Sequence, residues 1–423
     1  MKKFLSALRR GVFWLHLIVG IAIGLVVLVM GGTGTLLSFE RQITEAADGY
    51  HITPPPGAVK LGAEELMDAL QKAAPETAPT ALTVRSEADA PASFQFGREK
   101  TLFVDPYTGK ILGEGGKKTR AFFQFVTGLH RWLAMTGSAK DVGQKITSAA
   151  AVGFFFMVLS GLWLWFPRRW SLKGLRAITW FQGRLKGRAR DWNWHHVLGL
   201  WFAIPLLMTS ATGVIMAYPW ANGLLFASVG ETPPPREEGR GGPRREGGGG
   251  GPGGEGRRDG GGEVRKGGGG GRGGDQPARW PETTEGFNDA FAMAEAEAPG
   301  WITAQLQIPR RNDANFTLMG GPRGRPDLSR SVTVDLDSGE VTKVEKFEDQ
   351  SQGRQLRKWV RWIHTGEAGG WFGQTISFFG TLAALGLIWT GFALSWRRFF
   401  KKKPKKVEAP ITEAATASVV EAS

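Results

Sequence analysis

His16-Leu-Ile-Val-Gly20 begins an apolar run that ends in Thr33-Gly34, and His195-His-Val-Leu-Gly199 begins another that ends in Thr212-Gly213. In both, the Thr follows the His by 17 positions. These runs, 13–37 and 194–218, and two more at 146–166 and 371–396 contain no Asp, Glu, Lys or Arg. Each reaches the length of about 20 residues that crosses a bilayer core. The second and fourth runs also end alike: Ser160-Gly161 leads to Trp165 and Arg168-Arg169, and Thr390-Gly391 leads to Trp396 and Arg397-Arg398. The pattern predicts an α-helical membrane protein with four transmembrane helices arranged as two tandem repeats.

The flanks orient the spans. Lys2, Lys3, Arg9 and Arg10 precede the first run, and Arg168 to Arg190 between the second and third carries eight Lys and Arg. Arg397, Arg398 and the Lys run 401–406 follow the fourth. Basic residues gather on the cytoplasmic side of short loops, so both termini are expected inside. The two repeats then run parallel, related by an axis along the membrane normal. The first run is too long for a signal-peptide core and lacks a small-x-small cleavage site, which makes it a retained anchor.

Two long segments remain on the outer side. In the first, a helix-like stretch at 63–72 precedes strand-like stretches at 81–85 and 93–96, and then Thr101-Leu-Phe-Val-Asp105-Pro-Tyr-Thr-Gly109. In the second, 285–297, 304–308 and 315–319 precede Ser331-Val-Thr-Val-Asp335-Leu-Asp-Ser-Gly339. Alternating apolar residues before an Asp-x-x-x-Gly turn read as a β-hairpin in both. Between Glu231 and Pro281 lies a Gly/Arg/Pro-rich insert that cannot bury a core and is expected to be disordered.

Composition narrows the chemistry. The chain has no Cys among its 423 residues, which excludes disulfides, Cys-ligated iron–sulfur clusters and thioether-attached haem. Seventeen Trp beside three Tyr suit a protein with bilayer interfaces. The net charge of +14 sorts by membrane side, so no nucleic-acid partner is expected.

The histidines carry the functional signal, because an ionisable group in or at a span is costly. His16 and His195 lie within about a turn of the inner end of their spans, each four residues before a Gly on the same helix face. They are expected to ligate an inner haem b, with the small residues giving the macrocycle room. His130, in Ala121-Phe-Phe-Gln-Phe-Val-Thr-Gly-Leu-His-Arg-Trp-Leu, and His364, in Leu356-Arg-Lys-Trp-Val-Arg-Trp-Ile-His-Thr-Gly-Glu, lie on amphipathic outer-surface helices. They are expected to ligate an outer haem, covered by Phe122, Phe125, Trp132, Trp359 and Trp362. Arg131 and Arg361 are placed to pair with propionates. The plain alternatives are interfacial histidines with ordinary hydrogen-bond partners and arginines reaching to lipid phosphates. His196 points about 100° away from His195 and is the second choice as ligand. His51 reads as a surface residue. A zinc site of three His lacks a carboxylate in any span to complete it.

Trp14-Leu-His-Leu-x-x-Gly20, Leu129-His-Arg-Trp-Leu, Ser160-Gly-Leu-Trp-Leu-Trp-Phe-Pro, Trp194-His-His-Val-Leu-Gly199, Ile363-His-Thr-Gly-Glu and Trp389-Thr-Gly together resemble the PepSY-associated transmembrane family. The two outer hairpins look like PepSY modules. The resemblance implies a bacterial inner membrane, a periplasmic location for both modules and a link to iron uptake. Some members resemble siderophore-iron reductases with two b-type haems. The family pattern carries over to His195 as ligand and leaves His196 without a role.

The expected layout is an inner N-terminus (1–11), a span (12–38), a PepSY-like module (39–118), an interfacial helix (119–143) and a second span (144–167). A basic inner loop (168–192), a third span (193–219), an outer segment with the insert (220–281) and a second module (282–350) follow. An interfacial helix (351–369), the fourth span (370–396) and a basic tail (397–423) complete it. The expected function is electron transfer across the bilayer to a ferric, siderophore-bound iron, since oxygen ligands hold ferrous iron less well than ferric. Without a G-x-G-x-x-G fold, the donor is expected to be quinol or a partner protein. The alternatives are an iron-chelate permease component, against which the lack of charge in the spans argues only as an ion path, and a periplasmic binding or regulatory protein without redox activity.

Overall fold

The computed structural model describes residues 2–97, 100–167, 171–234, 279–309 and 313–400. Most of the Gly/Arg-rich insert (235–278), Arg168, Arg169 and the basic tail after residue 400 lie outside the described residues.

Three helices are each long and apolar enough to cross a membrane: α1 (Lys2–Leu37), α5 (Ala139–Trp165) and α12 (Gly370–Phe399). The fourth crossing is a bent pair, α7 (Gly187–Trp201) and α8 (Ala203–Ala217), meeting at 67°. An unbroken span was expected there. Pro205 accounts for the break: it has no N–H to give the Trp201 carbonyl, and its ring crowds that carbonyl. Helix α1 starts earlier than the expected span, so the basic N-terminal residues continue the helix instead of preceding it.

In the bundle, α1 packs against α5 and α12, α12 against α7, and α5 against α8. One end gathers the basic residues. The Arg9 guanidinium donates to the Leu164 carbonyl at 2.5 Å, Arg397 pairs with Asp191, and the Arg398 guanidinium lies 4.8 and 4.9 Å from the Phe13 and Trp14 ring centres. Asp191 is 1% exposed, an acid at the mouth of the bundle satisfied from both sides by Arg190 and Arg397. The loop helix α6 (Leu172–Thr179) is tied to α7 by Asn193, whose amide donates to the Ala177 and Trp180 carbonyls.

The other end carries a sheet. Strands β1 (Ala81–Arg85), β2 (Ala92–Phe96), β3 (Lys100–Val104) and β4 (Ile111–Gly113) follow α2 (Glu40–Asp48) and α3 (Ala63–Ala73). Strands β5 (Thr303–Gln307), β6 (Asp313–Met319), β7 (Ser329–Asp335) and β8 (Glu340–Lys346) follow α9 (Pro219–Ala227) and α10 (Phe287–Glu297). All eight form one antiparallel sheet in the order β4-β3-β2-β1-β5-β6-β7-β8. The sequence suggests two separate modules, whereas β1 and β5 pair over five residues, from Ala81↔Gln307 to Arg85↔Thr303. Pairing removes two edges that would otherwise expose free backbone groups.

Side-chain alternation decides what the seam buries. Leu82 faces Leu306 and Val84 faces Ala304 on the face covered by α3 and α10, where Leu66, Met67, Leu70, Phe94, Phe287, Phe316, Val332 and Val334 close the core. Across the seam α3 and α10 satisfy each other's first turns. The Glu64 N–H donates to Asn288 Oδ1 and the Asn288 N–H to Glu64 Oε1, both at 3.1 Å. The expected hairpin turns form alike: Asp105 Oδ1 accepts from the Tyr107 N–H, Asp335 Oδ1 accepts from the Asp337 and Ser338 N–H groups, and Gly109 and Gly339 take φ of +70° and +67°.

The opposite face looks toward the bundle. Arg85 pairs with Glu45 of α2, and Phe103 lies under Arg120 of α4 (Lys117–Trp132). Beyond β8, Phe347 packs on Trp359 of α11 (Gln352–Thr365). Helices α4 and α11 therefore lie between the sheet and the spans.

The seam is testable. We expect Leu306→Ala to cost about 2–5 kcal/mol, read as a lower thermal unfolding midpoint of the purified chain. Thr83→Val, on the opposite face, removes a buried hydroxyl oxygen that has no hydrogen-bond partner and should be neutral or stabilising by the same measurement.

Candidate functional site

The structure places the expected histidines at the two ends of the bundle. His16 and His195 lie on α1 and α7 toward the basic end, and His130 and His364 lie in the last turns of α4 and α11 beneath the sheet. Each is only partly accessible.

All four are seated in one way. His16 Nδ1 meets Ser160 Oγ at 2.8 Å, and His195 Nδ1 meets Thr390 Oγ1 at 3.0 Å. At the other end His130 Nδ1 meets Thr33 Oγ1 at 2.9 Å, and His364 Nδ1 meets Thr212 Oγ1 at 3.1 Å. Every one of these hydroxyls is followed by Gly, and the imidazole edge lies over that Gly. A Cβ added at Gly161, Gly391, Gly34 or Gly213 would stand 3.3–3.6 Å from the facing Cε1.

Donor bookkeeping then points to a tautomer. A hydroxyl has one proton, and each of these four is directed to its own helix. Thr33 donates to Val29 O at 2.7 Å, Ser160 to Phe156 O at 2.7 Å, Thr212 to Met208 O at 2.6 Å and Thr390 to Gly386 O at 2.7 Å. A hydroxyl turned to that carbonyl accepts from the ring, which matches the tautomer with the hydrogen on Nδ1. Carbonyls confirm this at the sheet end: Met30 O and Thr209 O each stand 3.0 Å from the Nδ1 of His130 and His364. Nε2 is left as a bare lone pair, the form that binds a metal.

The sheet-end rings stand edge-on at 66° with centroids 6.3 Å apart. An imidazole nitrogen sits about 2.0 Å from a bound first-row metal, and its ring centre about 1 Å behind, so two rings sharing one ion stand roughly 6 Å apart. The observed separation fits that arrangement. At the basic end His16 on α1 and His195 on α7 are each seated against the other span of their own half. Among the described residues no three His, Asp or Glu converge on one point, so neither pair is completed by a third side chain. Burial pushes His130 down to about 4, helped by His364 and Arg131, and lowers His364 as well. Both are neutral imidazoles near pH 7.

Several expected roles change. A Cβ on Gly20 would meet Met157 of α5 at 2.8 Å, and one on Gly199 would meet Leu387 of α12 at 3.7 Å. These glycines do not open room beside the ligands. They bring the His-bearing helices against the helices that carry Ser160 and Thr390. Trp359 packs on Phe347, and Trp362 lies between Arg323 and Arg361, with 5.5 and 5.0 Å to the ring centre. Phe122 and Phe125 are exposed and Trp132 stacks under Arg131 and Lys140. None of these five contacts is with an outer histidine. His196 donates from Nδ1 to Trp192 O and stacks on Trp192 at 4.0 Å, turned away from the His195 seat. The sequence reading passed over Ser160, Thr390, Thr33 and Thr212 as anything more than repeat markers. Their signal was present: every span carries one Ser/Thr-Gly pair near its C-terminal end.

A charged cluster closes the sheet end. Arg323, from the loop before β7, pairs with Glu367 at 3.0 Å. Glu40 lies in the same field, its carboxyl raised chiefly by burial, further by Glu367, and opposed by Arg323 and Arg361.

With the geometry in hand, the class is a membrane-spanning protein with two histidines toward each end of its helical bundle. The chain belongs to the family described as the PepSY-associated TM region, which matches residues 13–398. No curated protein matches the chain.

The Glu40 cluster gives a pH test. A carboxyl raised in the folded state favours folding at low pH, and that contribution is lost as pH rises from its ordinary 4.5 through the folded value. We expect Glu40→Gln to flatten the fall in stability over that window, seen in thermal midpoints measured as a function of pH. An unchanged slope would remove Glu40 from the account.

Proposed function

We propose that the chain is a dihaem electron-transfer protein of the bacterial inner membrane that reduces ferric, siderophore-bound iron during iron uptake. The observation that carries the reading is the four imidazoles, two toward each end of the bundle, each with Nδ1 committed to a hydroxyl. Two protein ligands per site suit haem b, whose porphyrin supplies the four remaining iron ligands. When bound, it contributes one-electron transfer. The chain's own part is to hold His16 with His195 and His130 with His364, and to keep water from the iron with apolar helices. Arg131 and Arg361, one residue after and one turn before the outer histidines, are proposed to meet the propionates.

The chain is read as two parallel copies of span, PepSY-like module and span. The basic end faces the cytoplasm with both termini, and the sheet faces the periplasm. Quinol or a protein donor supplies electrons at the inner pair, and the ferric chelate takes them near the outer pair. The shared seat of all four histidines, and the strand order running outward from β1–β5, support the duplication.

The test is a reduced-minus-oxidised spectrum of purified protein, with haem counted per chain. We expect a b-type signal and two haems. His130→Ala or His364→Ala should remove one, and His16→Ala or His195→Ala the other. Formation of ferrous iron from a ferric hydroxamate should fall in all four variants. A chain without b-type signal, or a signal indifferent to all four substitutions, sinks the reading.

A further inference from the structure

The four seats are alike but not equal. His130 has two acceptors for its Nδ1 hydrogen, Thr33 Oγ1 and Met30 O, and His364 likewise has Thr212 Oγ1 and Thr209 O. Each of these carbonyls lies three residues before its hydroxyl, so the imidazole sits against a turn of its neighbour's backbone. His195, at the basic end, has Thr390 Oγ1. Among the described residues His16 has Ser160 Oγ alone. In its seat the equivalent carbonyl, of Met157, is 3.3 Å from the serine hydroxyl and makes no bond to the ring.

We infer that Ser160 is the positioning residue on which ligation by His16, and with it the inner metal site, depends. The inference rests on the reading of His16 as a haem ligand. A hydroxyl whose proton is held by Phe156 O accepts from Nδ1 and nothing else, so it aims Nε2 and makes it the more basic nitrogen. Remove a hydroxyl at either sheet-end seat and a carbonyl still holds the Nδ1 hydrogen. Remove it from Ser160 and the ring is free to rotate, to change tautomer, or to turn Nδ1 toward the metal. The Gly161 contact, 3.4 Å from an added Cβ to Cε1, limits where the ring can lie but does not choose between its nitrogens.

The experiment compares Ser160→Ala with Thr33→Val and Thr212→Val in the full chain purified with its haem. The readouts are the electron paramagnetic resonance spectrum and the midpoint potential of each haem. Ser160→Ala is expected to weaken haem retention at one site by roughly 10–100-fold, to add a high-spin signal and to raise that haem's potential, because weaker donation favours the ferrous state. Thr33→Val and Thr212→Val should keep two low-spin haems. Ser160→Thr should restore the wild-type spectrum, since Thr390 shows that threonine fits the equivalent seat. If Ser160→Ala does not accumulate, Ser160→Cys replaces it and is read by the same criteria. Two low-spin haems of unchanged potential in the Ser160 variant overturn the inference and leave the haem reading standing, as does an equal effect from all three substitutions. Perturbation that Ser160→Thr fails to reverse overturns it too, by pointing to packing. Wild-type protein without haem overturns the underlying reading itself.

Discussion

Inside a bilayer a polar hydrogen must find an acceptor within the protein, because no water is there to take it. Much of this structure follows from how it meets that demand for imidazole. A Ser or Thr in a helix can turn its own proton onto the carbonyl four residues back, as Thr33, Ser160, Thr212 and Thr390 all do. Its oxygen then becomes a fixed acceptor on the helix surface. A histidine from a neighbouring helix docks Nδ1 there, and the glycine that follows leaves room for the ring edge. One short pair of residues thus seats an imidazole and suits the tautomer that leaves Nε2 uncommitted.

Each seat is built within one half of the chain, but each pair of histidines spans both halves. His130 is held by α1 and His364 by α8, while the distance between their rings is set by how the halves meet. That junction is held in more than one layer. In the membrane α1 packs on α12, and at the sheet end Gln42 donates to Gln374, which donates to the Ser38 carbonyl. Above it, β1 pairs with β5 and the first turns of α3 and α10 exchange hydrogen bonds. A small shift between halves would change the 6.3 Å ring separation directly, so the long seam does more than bury apolar surface.

The sequence made the spans and the histidines legible because both depend on local pattern: apolar length, charge at the flanks and a polar residue where lipid disfavours it. The two Asp-x-x-x-Gly hairpins were legible for the same reason. The β1–β5 seam was not, since edge strands that pair across some 220 positions look in sequence like strands of separate sheets. Gly20 and Gly199 misled for a related reason. Spacing places a glycine on the face of its histidine, but only packing shows that Met157 and Leu387 fill the space. The Ser/Thr-Gly pairs were visible as a repeat. Their role needed the partner helix, which no spacing within one span can supply.

The two ends also differ in what positions their histidines. His130 and His364 sit on short helices that lie between the sheet and the spans, so their placement is coupled to the sheet through contacts such as Arg120–Phe103, Arg323–Glu367 and Trp359–Phe347. His16 and His195 sit on the spans themselves, where helix packing alone sets their depth. In the second half that packing has an added clamp, the buried Asp191 between Arg190 and Arg397, one turn before His195 and one to two turns after Thr390. In the first half the Arg9 guanidinium donates to the Leu164 carbonyl, and Arg398 of the second half lies over Phe13 and Trp14. Among the described residues His16 and His195 each meet one hydroxyl, whereas His130 and His364 each meet a hydroxyl and a carbonyl. The inner histidines therefore depend on how the spans pack, and the outer ones on the sheet as well.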